Sequence, residues 1–395
     1  MSFQLTDEHE AIKKAVREFA ENEIEPVARE HDEEKKYPEE IRRKAAEYDF
    51  VAPNIPIEYG GAGMTLQESI LVTEELWRAD PGIGSAVGSA GFGTDMIVKY
   101  GDEWMKEEYL PPIANGESAS CSMISEPAHG SNVAGIETRA ERDTVEQRST
   151  SPETEASRDG DEFVINGNKM WITNGTVADV GVAMTKTDPG EGHRGITAIL
   201  VPMDADGVKT EKIDNKLGIR ASDLAEVVLD DVRVPEENVI GEVNKGFYQL
   251  MNFFASGRTS VAAQAVGAAQ GAFDAALDYA GEREQFGQEI GEFQAIQHKL
   301  AEMATDIEAA RSLTYRAAAN VEDGDDDVAA KYASMAKLFA SEHAVDVADE
   351  AVQVHGGAGY VTDHPAERYY RDARITKIYE GTSEIQKNII ADKLL

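Results

Sequence analysis

The hydrophobic period of this 395-residue chain changes twice, and no single layer of secondary structure accommodates both changes. From Thr6, an N-cap before the acidic Asp7 and Glu8, apolar residues recur at Ile12, Val16, Phe19 and Ile24, the spacing of an amphipathic helix. Helical patterns continue through PEEIRRKAAEYDF, LQESILVTEELWRA, GSAVGSAGFGTDMIVKYG and DEWMKEEYLPPIANG, so residues 1–118 read as an all-helical domain. Between 119 and 237 the period falls to two in EFVING, KMWITNG, VGVAMTK, GITAILVPM and AEVVLDDVRVP, with Asn166-Gly167 and Asn174-Gly175 as turn signals. This predicts a central β domain, a barrel or sandwich. Within it, the polar and aperiodic stretch 141–161 reads as a long exposed loop. Over 238–395 the helical period returns, from FYQLMNFFASGRTSVAAQAVGAAQGAFDAALDYA, through Leu300, Met303, Ile307, Ala310 and Leu313, to ASMAKLFASEHAVDVADEAVQV and SEIQKNIIADKLL. Alternating small and large residues there suit a close-packed bundle with room for a site between helices. A chain this long exceeds one core, so two or three packed units are expected.

Acidic residues outnumber basic ones 74 to 38, giving a net charge of −36, while 42% of residues are hydrophobic. Disorder pairs high charge with few apolar residues, so this charge belongs on the surface of a folded protein. The pattern resembles proteins of salt-loving organisms. Such a surface repels phosphate backbones and anionic lipid, and no basic patch offsets it, so neither nucleic acid nor membrane insertion is expected. Cys121 is the single cysteine, which excludes an intramolecular disulfide and a cysteine-cluster metal site. The eight histidines form no HExxH, and no metal is expected. The acidic N-terminus has no signal or transit character, and no stretch reaches membrane-spanning length, which points to the cytoplasm.

Five stretches carry candidate chemistry. SEPAHGSNVAG (125–135) sets hydroxyls and glycine in a turn whose backbone N–H groups suit an anion, or is an ordinary inter-domain turn. KMWITNG (169–175) places Trp171 and Thr173 on one face of a strand, able to contact a planar heterocycle, or simply half-buried. QVHGGAG (353–359) allows backbone approach to a pyrophosphate or caps a helix. REQFG (283–287) offers a guanidinium to phosphate, or a solvated charge. IYEGTSEIQ puts Glu380 in a turn before the last helix, with Gly381 permitting close approach and Thr382 or Ser383 as N-cap. A ligand closing over Glu380 would raise its pKa and strengthen it as a base, although most acids in this composition are surface charges.

In this order, SEPAHGSNVAG, KMWITNG, NKLGIRASD, REQFG, QVHGGAG and IYEGTSEIQ resemble the acyl-CoA dehydrogenase family of flavoproteins. The resemblance spans nearly the whole chain. It implies an N-terminal helical domain, a central β domain and a C-terminal four-helix bundle, with FAD bound non-covalently in a homotetramer. It further implies oxidation of an acyl-CoA thioester to trans-2-enoyl-CoA, with electrons passed to an electron-transfer flavoprotein. Ser122, Met123, Ile124, Ser125, Gly130 and Ser131 would line the flavin, with Trp171, Ile172 and Thr173 covering it. Thr382, Ser383 and Glu384 would also touch FAD. Arg283, Phe286, Gln294 and the run Gln353, Val354, His355, Gly356 and Gly357 would reach the FAD of a neighbouring subunit.

The resemblance makes Glu380 the catalytic base, removing the α-proton as hydride leaves the β-carbon, with its backbone N–H polarising the thioester carbonyl. Ser131, Arg258 and Gly381 would lie near CoA or substrate. Departures from the family pattern are Ser125 for Thr, Asn132 for Asp, Ala255 for an Asp three residues before Arg258, and a longer 141–161 loop. Gly257 stands where the isovaleryl branch carries its base, which argues against that branch. Gly84 and Gly88 fall at the pocket floor by resemblance, and missing side chains there suggest medium to long acyl chains, or only close helix packing. An acyl-CoA oxidase or other flavin oxidase or monooxygenase on the same fold is the alternative activity. The neutral GSAVGSAGFG offers no cation for a glutaryl-type substrate, and the charge opposes a nucleic-acid-binding relative.

Overall fold

The computed structural model describes residues 5–143 and 161–395. Helices come first: α1 (Asp7–Glu23), α2 (Ala28–Glu34), α3 (Glu39–Ala46), α4 (Leu66–Ala79), α5 (Pro81–Gly88), α6 (Thr94–Tyr100) and α7 (Glu103–Ala114). Thr6 caps α1 by accepting from the His9 N–H in a capping box, which satisfies donors that the first turn leaves orphaned. Val16, Phe19 and Ile24 are buried beneath it, on the face their spacing predicts. The pattern GSAVGSAGFGTDMIVKYG is not one helix. It breaks between α5 and α6, where Gly93 takes φ +103°, a backbone conformation that stops a helix.

The strands are β1 (Ser120–Met123), β2 (Arg139–Asp143), β3 (Glu162–Thr173), β4 (Val180–Lys186), β5 (Ile196–Pro202), β6 (Val208–Lys212) and β7 (Leu224–Pro235). They form one curled seven-stranded sheet in the order β1-β4-β2-β3-β7-β6, with β5 on β4. The turn expected at Asn166-Gly167 is absent, because β3 runs straight through it with a register irregularity between Ile165 and Gly167. Asn166 instead bonds across to β7, accepting from the Asp231 N–H and donating to the Asp231 carboxylate, both at 2.9 Å. Asn174-Gly175 does end β3, with Asn174 at φ +64°. The first residues of the stretch read as a loop belong to β2, where Glu141 pairs with Val164. The rest of that stretch, 144–160, lies outside the described residues.

Helices α8 (Gly246–Glu282), α9 (Gln294–Glu322) and α10 (Asp326–His355) pack together, with a small hairpin of β8 (Glu284–Gln285) and β9 (Gln288–Glu289) between α8 and α9. Their seam is built from small residues, Ala265, Ala269, Ala272 and Ala276 on α8 facing Ala336, Ala340, Ala344 and Ala348 on α10. Repeats of three and four residues keep these alanines on one face of each helix and let the backbones approach. Two shorter helices follow, α11 (Ala366–Ala373) and α12 (Ser383–Asp392).

Buried charges tie the parts together at α11. Arg368 donates to Asp80 at 2.8 Å, Arg371 to Asp32 at 2.7 Å, and Asp372 accepts from the Ile219 N–H at 2.5 Å. Residues 215–223, the NKLGIRASD stretch, are thereby fastened to both helical parts. Among the described residues no helix is long and apolar enough to cross a membrane, and no cluster of His, Cys, Asp or Glu could hold a metal ion.

Candidate active site

A cavity of about 870 Å³ lies where the three parts meet, within the size range of clefts that take a cofactor or substrate. One wall comes from the β part: Ser122, Ile124, Ser125, Gly130, Ser131, Trp171, Ile172 and Thr173. Opposite stand residues of α8, among them Phe253, Gly257 and Gln264, and the turn Tyr379–Thr382. Met123 follows the strand alternation and points away, into the core beneath the sheet.

The β wall carries two unusual features. Trp171 does not sit in regular strand geometry. It occupies a bulge between Lys169 and Ile172 at φ +64°, leaving its side chain 59% exposed. A bulky residue in the left-handed region costs on the order of 1–3 kcal/mol, which the surrounding contacts must offset. The bulge, not simple alternation, is what brings Trp171 and Thr173 to the same cavity. Beneath it Lys169 is fully buried, donating to Glu126 at 2.9 Å, Met184 O at 2.7 Å and Ile124 O at 3.3 Å. Glu126 accepts in turn from the Glu137 and Thr138 N–H groups. Burial pushes the Lys169 ammonium down to about 8 against the pull of Glu126. This pair pins the 124–126 backbone to β3, and Met170 N–H donates to Ser125 O at 2.9 Å beside it.

Glu380 lines the same cavity. It takes φ +52°, followed by Gly381 at +91°, so the turn into α12 is left-handed at two successive residues. Glu380 Oε2 is buried without a hydrogen-bond partner. Burial pushes its carboxyl above the usual carboxylate range, opposed by the charges of Arg258 and Lys337. A Cβ on Gly257 would stand 3.1 Å from that oxygen, so the absence of a side chain there is what gives the carboxylate its place. Gln386 donates to the carbonyls of Glu380 (3.1 Å) and Gly381 (2.8 Å).

Several expected contacts are placed differently. Arg258 does not line the cavity. It is buried on α8 with its guanidinium 5.3 Å over the Phe254 ring and its Nε unpartnered, so the expected contact at a substrate approach gives way to a charge contact with Glu380. Ser383 and Glu384 likewise lie behind the wall. The Ser383 hydroxyl donates to Glu342 at 2.6 Å, and Glu384 is held by its own N–H and by Thr382 at the start of α12. Thr382 itself does line the cavity. Gly84 is spent on packing, since a Cβ there would meet the Leu76 carbonyl carbon and oxygen at 2.9 Å. Gly88 does open onto the cavity, with free space where its Cβ would be.

Arg283, Phe286 and Gln294 lie in and beside the β8–β9 connection between α8 and α9, and Gln353–Gly357 at the end of α10, where Val354 and His355 are buried. There His355 stacks on Tyr279 at 4.4 Å, and Phe286 is 94% exposed on the β8–β9 turn. None of these residues lines the cavity.

Sequence reasoning missed Lys169, Glu126, Gln386 and Lys337. Lys337 is fully buried on α10 and donates to Gly381 O at 2.6 Å. Its signal was available: it shares the apolar stripe of Ala333, Ala340 and Ala344, where a lysine is out of place. Lys169 shares the inward parity of Phe163 and Ile165 along β3.

Three parts that converge on one cavity, lined by both an unpartnered buried carboxylate and an exposed indole, make an enzyme rather than a binding scaffold. Comparison with known proteins gives its kind. Residues 6–117, 121–232 and 244–395 match the N-terminal, middle and C-terminal domain models of acyl-CoA dehydrogenases. The chain belongs to the acyl-CoA dehydrogenase family of oxidoreductases. It is 40% identical to the 3-(aryl)acrylate reductase of Clostridium sporogenes, over 99% of each chain. It is also 40% identical to the short-chain-specific acyl-CoA dehydrogenase of Clostridium acetobutylicum, over 100% of each. Among solved structures it superposes on butyryl-CoA dehydrogenase from Megasphaera elsdenii, with TM-score 0.90, 35% identity and full coverage of both chains. A chain in a structure of the electron transferring flavoprotein of Acidaminococcus fermentans matches with TM-score 0.91 and 38% identity, again over both full lengths.

Family members are flavoproteins that bind FAD. The β wall fits such a group: an indole face, the Ser125, Ser131 and Thr173 hydroxyls, a buried Ser122 hydroxyl without a partner, and open space at Gly130.

Proposed function

We propose that this enzyme oxidises an acyl-CoA thioester to trans-2-enoyl-CoA, with Glu380 as the base that takes the α-proton. The observation that carries this reading is the buried, unpartnered Glu380 Oε2 on a left-handed turn at the cavity wall. An acceptor without a hydrogen bond is free to receive a proton from carbon, and burial raises its proton affinity toward the working range of a general base. The Glu380 N–H would donate to the thioester carbonyl and so acidify the α-carbon.

The Ser122–Ser131 segment, Trp171, Ile172, Thr173 and Thr382 would hold FAD, which when bound supplies the acceptor for the β-hydride. Arg283, Phe286, Gln294 and Gln353–Gly357, none of which lines the cavity, would serve the FAD of a neighbouring subunit, so the active form would be an oligomer, a homotetramer by resemblance. Electrons would pass to an electron-transfer flavoprotein, a reading supported by the match to a chain in a structure of such a protein.

The expectation of medium to long acyl chains loses half its basis, because Gly84 packs against α4 instead of deepening the pocket. A short acyl chain is favoured by the relative named for it. The deciding experiment is anaerobic titration of the purified protein with C4 to C16 acyl-CoA thioesters and a 3-arylpropanoyl thioester, following loss of flavin absorbance. Bleaching by butyryl-CoA is the expected result. No bleaching by any thioester would refute the proposal, and rapid peroxide formation in air without another acceptor would assign an oxidase instead.

A further inference from the structure

Lys337 is a buried cation that the proposed reaction does not use. Within α10 it lies on the face formed by Ala333, Ala336 and Ala340, where an apolar side chain would pack without the cost of desolvating a charge. Among the described residues it makes no ion pair within 4.0 Å, and its hydrogen bond goes to the Gly381 carbonyl at 2.6 Å. As a tether this bond is shared, because Gln386 also donates to the same carbonyl at 2.8 Å and to that of Glu380 at 3.1 Å. What a lysine adds there, and a glutamine does not, is charge.

We infer that Lys337 is a positioning residue for the catalytic turn: it fixes the Gly381 carbonyl and, with Arg258, supplies the positive field that keeps Glu380 anionic while it is buried. This rests on Glu380 being the base.

The surrounding groups support the assignment from every side. Arg258 faces the carboxylate from α8 and Lys337 from α10, and both act to lower its proton affinity against burial. Tyr379, next in the turn, is half-buried and held protonated, its hydroxyl donating to Gln264 at 2.5 Å. Glu342, one turn beyond Lys337 on α10, is occupied by Lys377 and the Ser383 hydroxyl. Glu384 is at the exposed start of α12, bound to its own N–H and Thr382. The anion that Lys337 and Arg258 are left to balance is therefore Glu380. Burial pushes Lys337 itself down to about 8, so the field is present at neutral pH and fades above that. Arg258 alone would leave the carboxylate with one cation and a larger share of its burial cost uncompensated.

The test compares Lys337→Met, which keeps the packing and removes the charge, with Gln386→Leu, which removes a tether and no charge. The Glu380 carboxyl is titrated directly in the holoenzyme by isotope-edited infrared difference spectroscopy, with Glu380→Gln as the blank, and the pH profile of flavin reduction is recorded alongside. For Lys337→Met the carboxyl should bind its proton about tenfold more tightly, moving the midpoint up by about one pH unit, and the acid limb of the rate should follow. KM should stay near the parent value, since Lys337 does not line the cavity. Gln386→Leu should slow the reaction and leave the midpoint in place. If Lys337→Met fails to fold, Lys337→Gln must still raise the midpoint and Lys337→Arg must not. A slower Lys337→Met enzyme with the parent midpoint would overturn the inference. Reduction of Glu380→Gln at the parent rate would instead overturn Glu380 as the base, while the infrared midpoint still reports on Lys337.

Discussion

Substituting Gly257 by Ala should make the protein more stable and slower at once. Gly257 lies inside the 37-residue α8, at a helical φ that alanine adopts freely. Replacing an interior helix glycine by alanine is worth about 0.5–1 kcal/mol. Spread over a chain of 395 residues, this is a rise in Tm of about 1 °C. The new methyl carbon would stand 3.1 Å from Glu380 Oε2 and 3.6 Å from its Cδ, closer than an unstrained carbon–oxygen contact. The carboxylate must retreat by a few tenths of an ångström. Misplacing a reacting group by 1 Å costs about 100-fold, so kcat should fall roughly 3- to 10-fold. The assay is anaerobic stopped-flow reduction of the flavin by acyl-CoA, with calorimetric Tm in parallel. An unchanged reduction rate would show that Glu380 has slack, and a loss confined to KM would show that the methyl obstructs substrate instead of moving the base. Either result refutes the reasoning.

Glu380→Gln should retain FAD and lose at least 100-fold in flavin reduction, the usual share of a general base. It should also be more stable than the parent at neutral pH. The folded carboxyl holds its proton more tightly than the unfolded one, so ionisation works against the fold; the penalty is complete above the folded pKa and vanishes below about pH 4. Thermal melts from pH 4 to 8 check this, and a variant less stable at pH 7 would contradict it. Arg283→Ala, at an exposed position outside the cavity lining, should shed FAD on dialysis without losing its fold, and an unchanged flavin-to-protein ratio would remove the proposed contact between subunits.

Period and capping were legible where one local rule acts. Thr6 announces α1, and the buried stripe of α9 follows Met303, Ile307 and Ala310. Legibility failed where a partner distant in sequence decides. Asn166-Gly167 carries every local mark of a turn, yet Asn166 is claimed by Asp231 on β7, 65 residues away, and the chain stays extended. Trp171 and Thr173 were placed together for the wrong reason, alternation, when a bulge does it. Gly84 and Gly88 look alike in sequence and differ only in what lies opposite: the Leu76 backbone for one, open space for the other. Glu380 was singled out by its neighbours in sequence, but the two cations that face it come from helices 122 and 43 residues upstream, which spacing does not reveal.

Both strained residues of the cavity are buttressed in the same way. Trp171 at φ +64° and Glu380 at φ +52° face the cavity from different parts of the chain, each in a conformation costing on the order of 1–3 kcal/mol. Behind each stands a fully buried lysine: Lys169 two residues before Trp171, bonded to Glu126 and to the Ile124 and Met184 carbonyls, and Lys337 bonded to the carbonyl next to Glu380. Hydrogen bonds to a charged group contribute about 1.5–3 kcal/mol each, enough to hold one left-handed residue against relaxation. At Glu380 the two neutral bonds from Gln386, about 1 kcal/mol each, act on the same turn, and the lysine adds its charged bond to them. The lysines therefore belong to the same device as the residues they hold, and a substitution at either should be read first in the geometry of the cavity wall and only then in global stability.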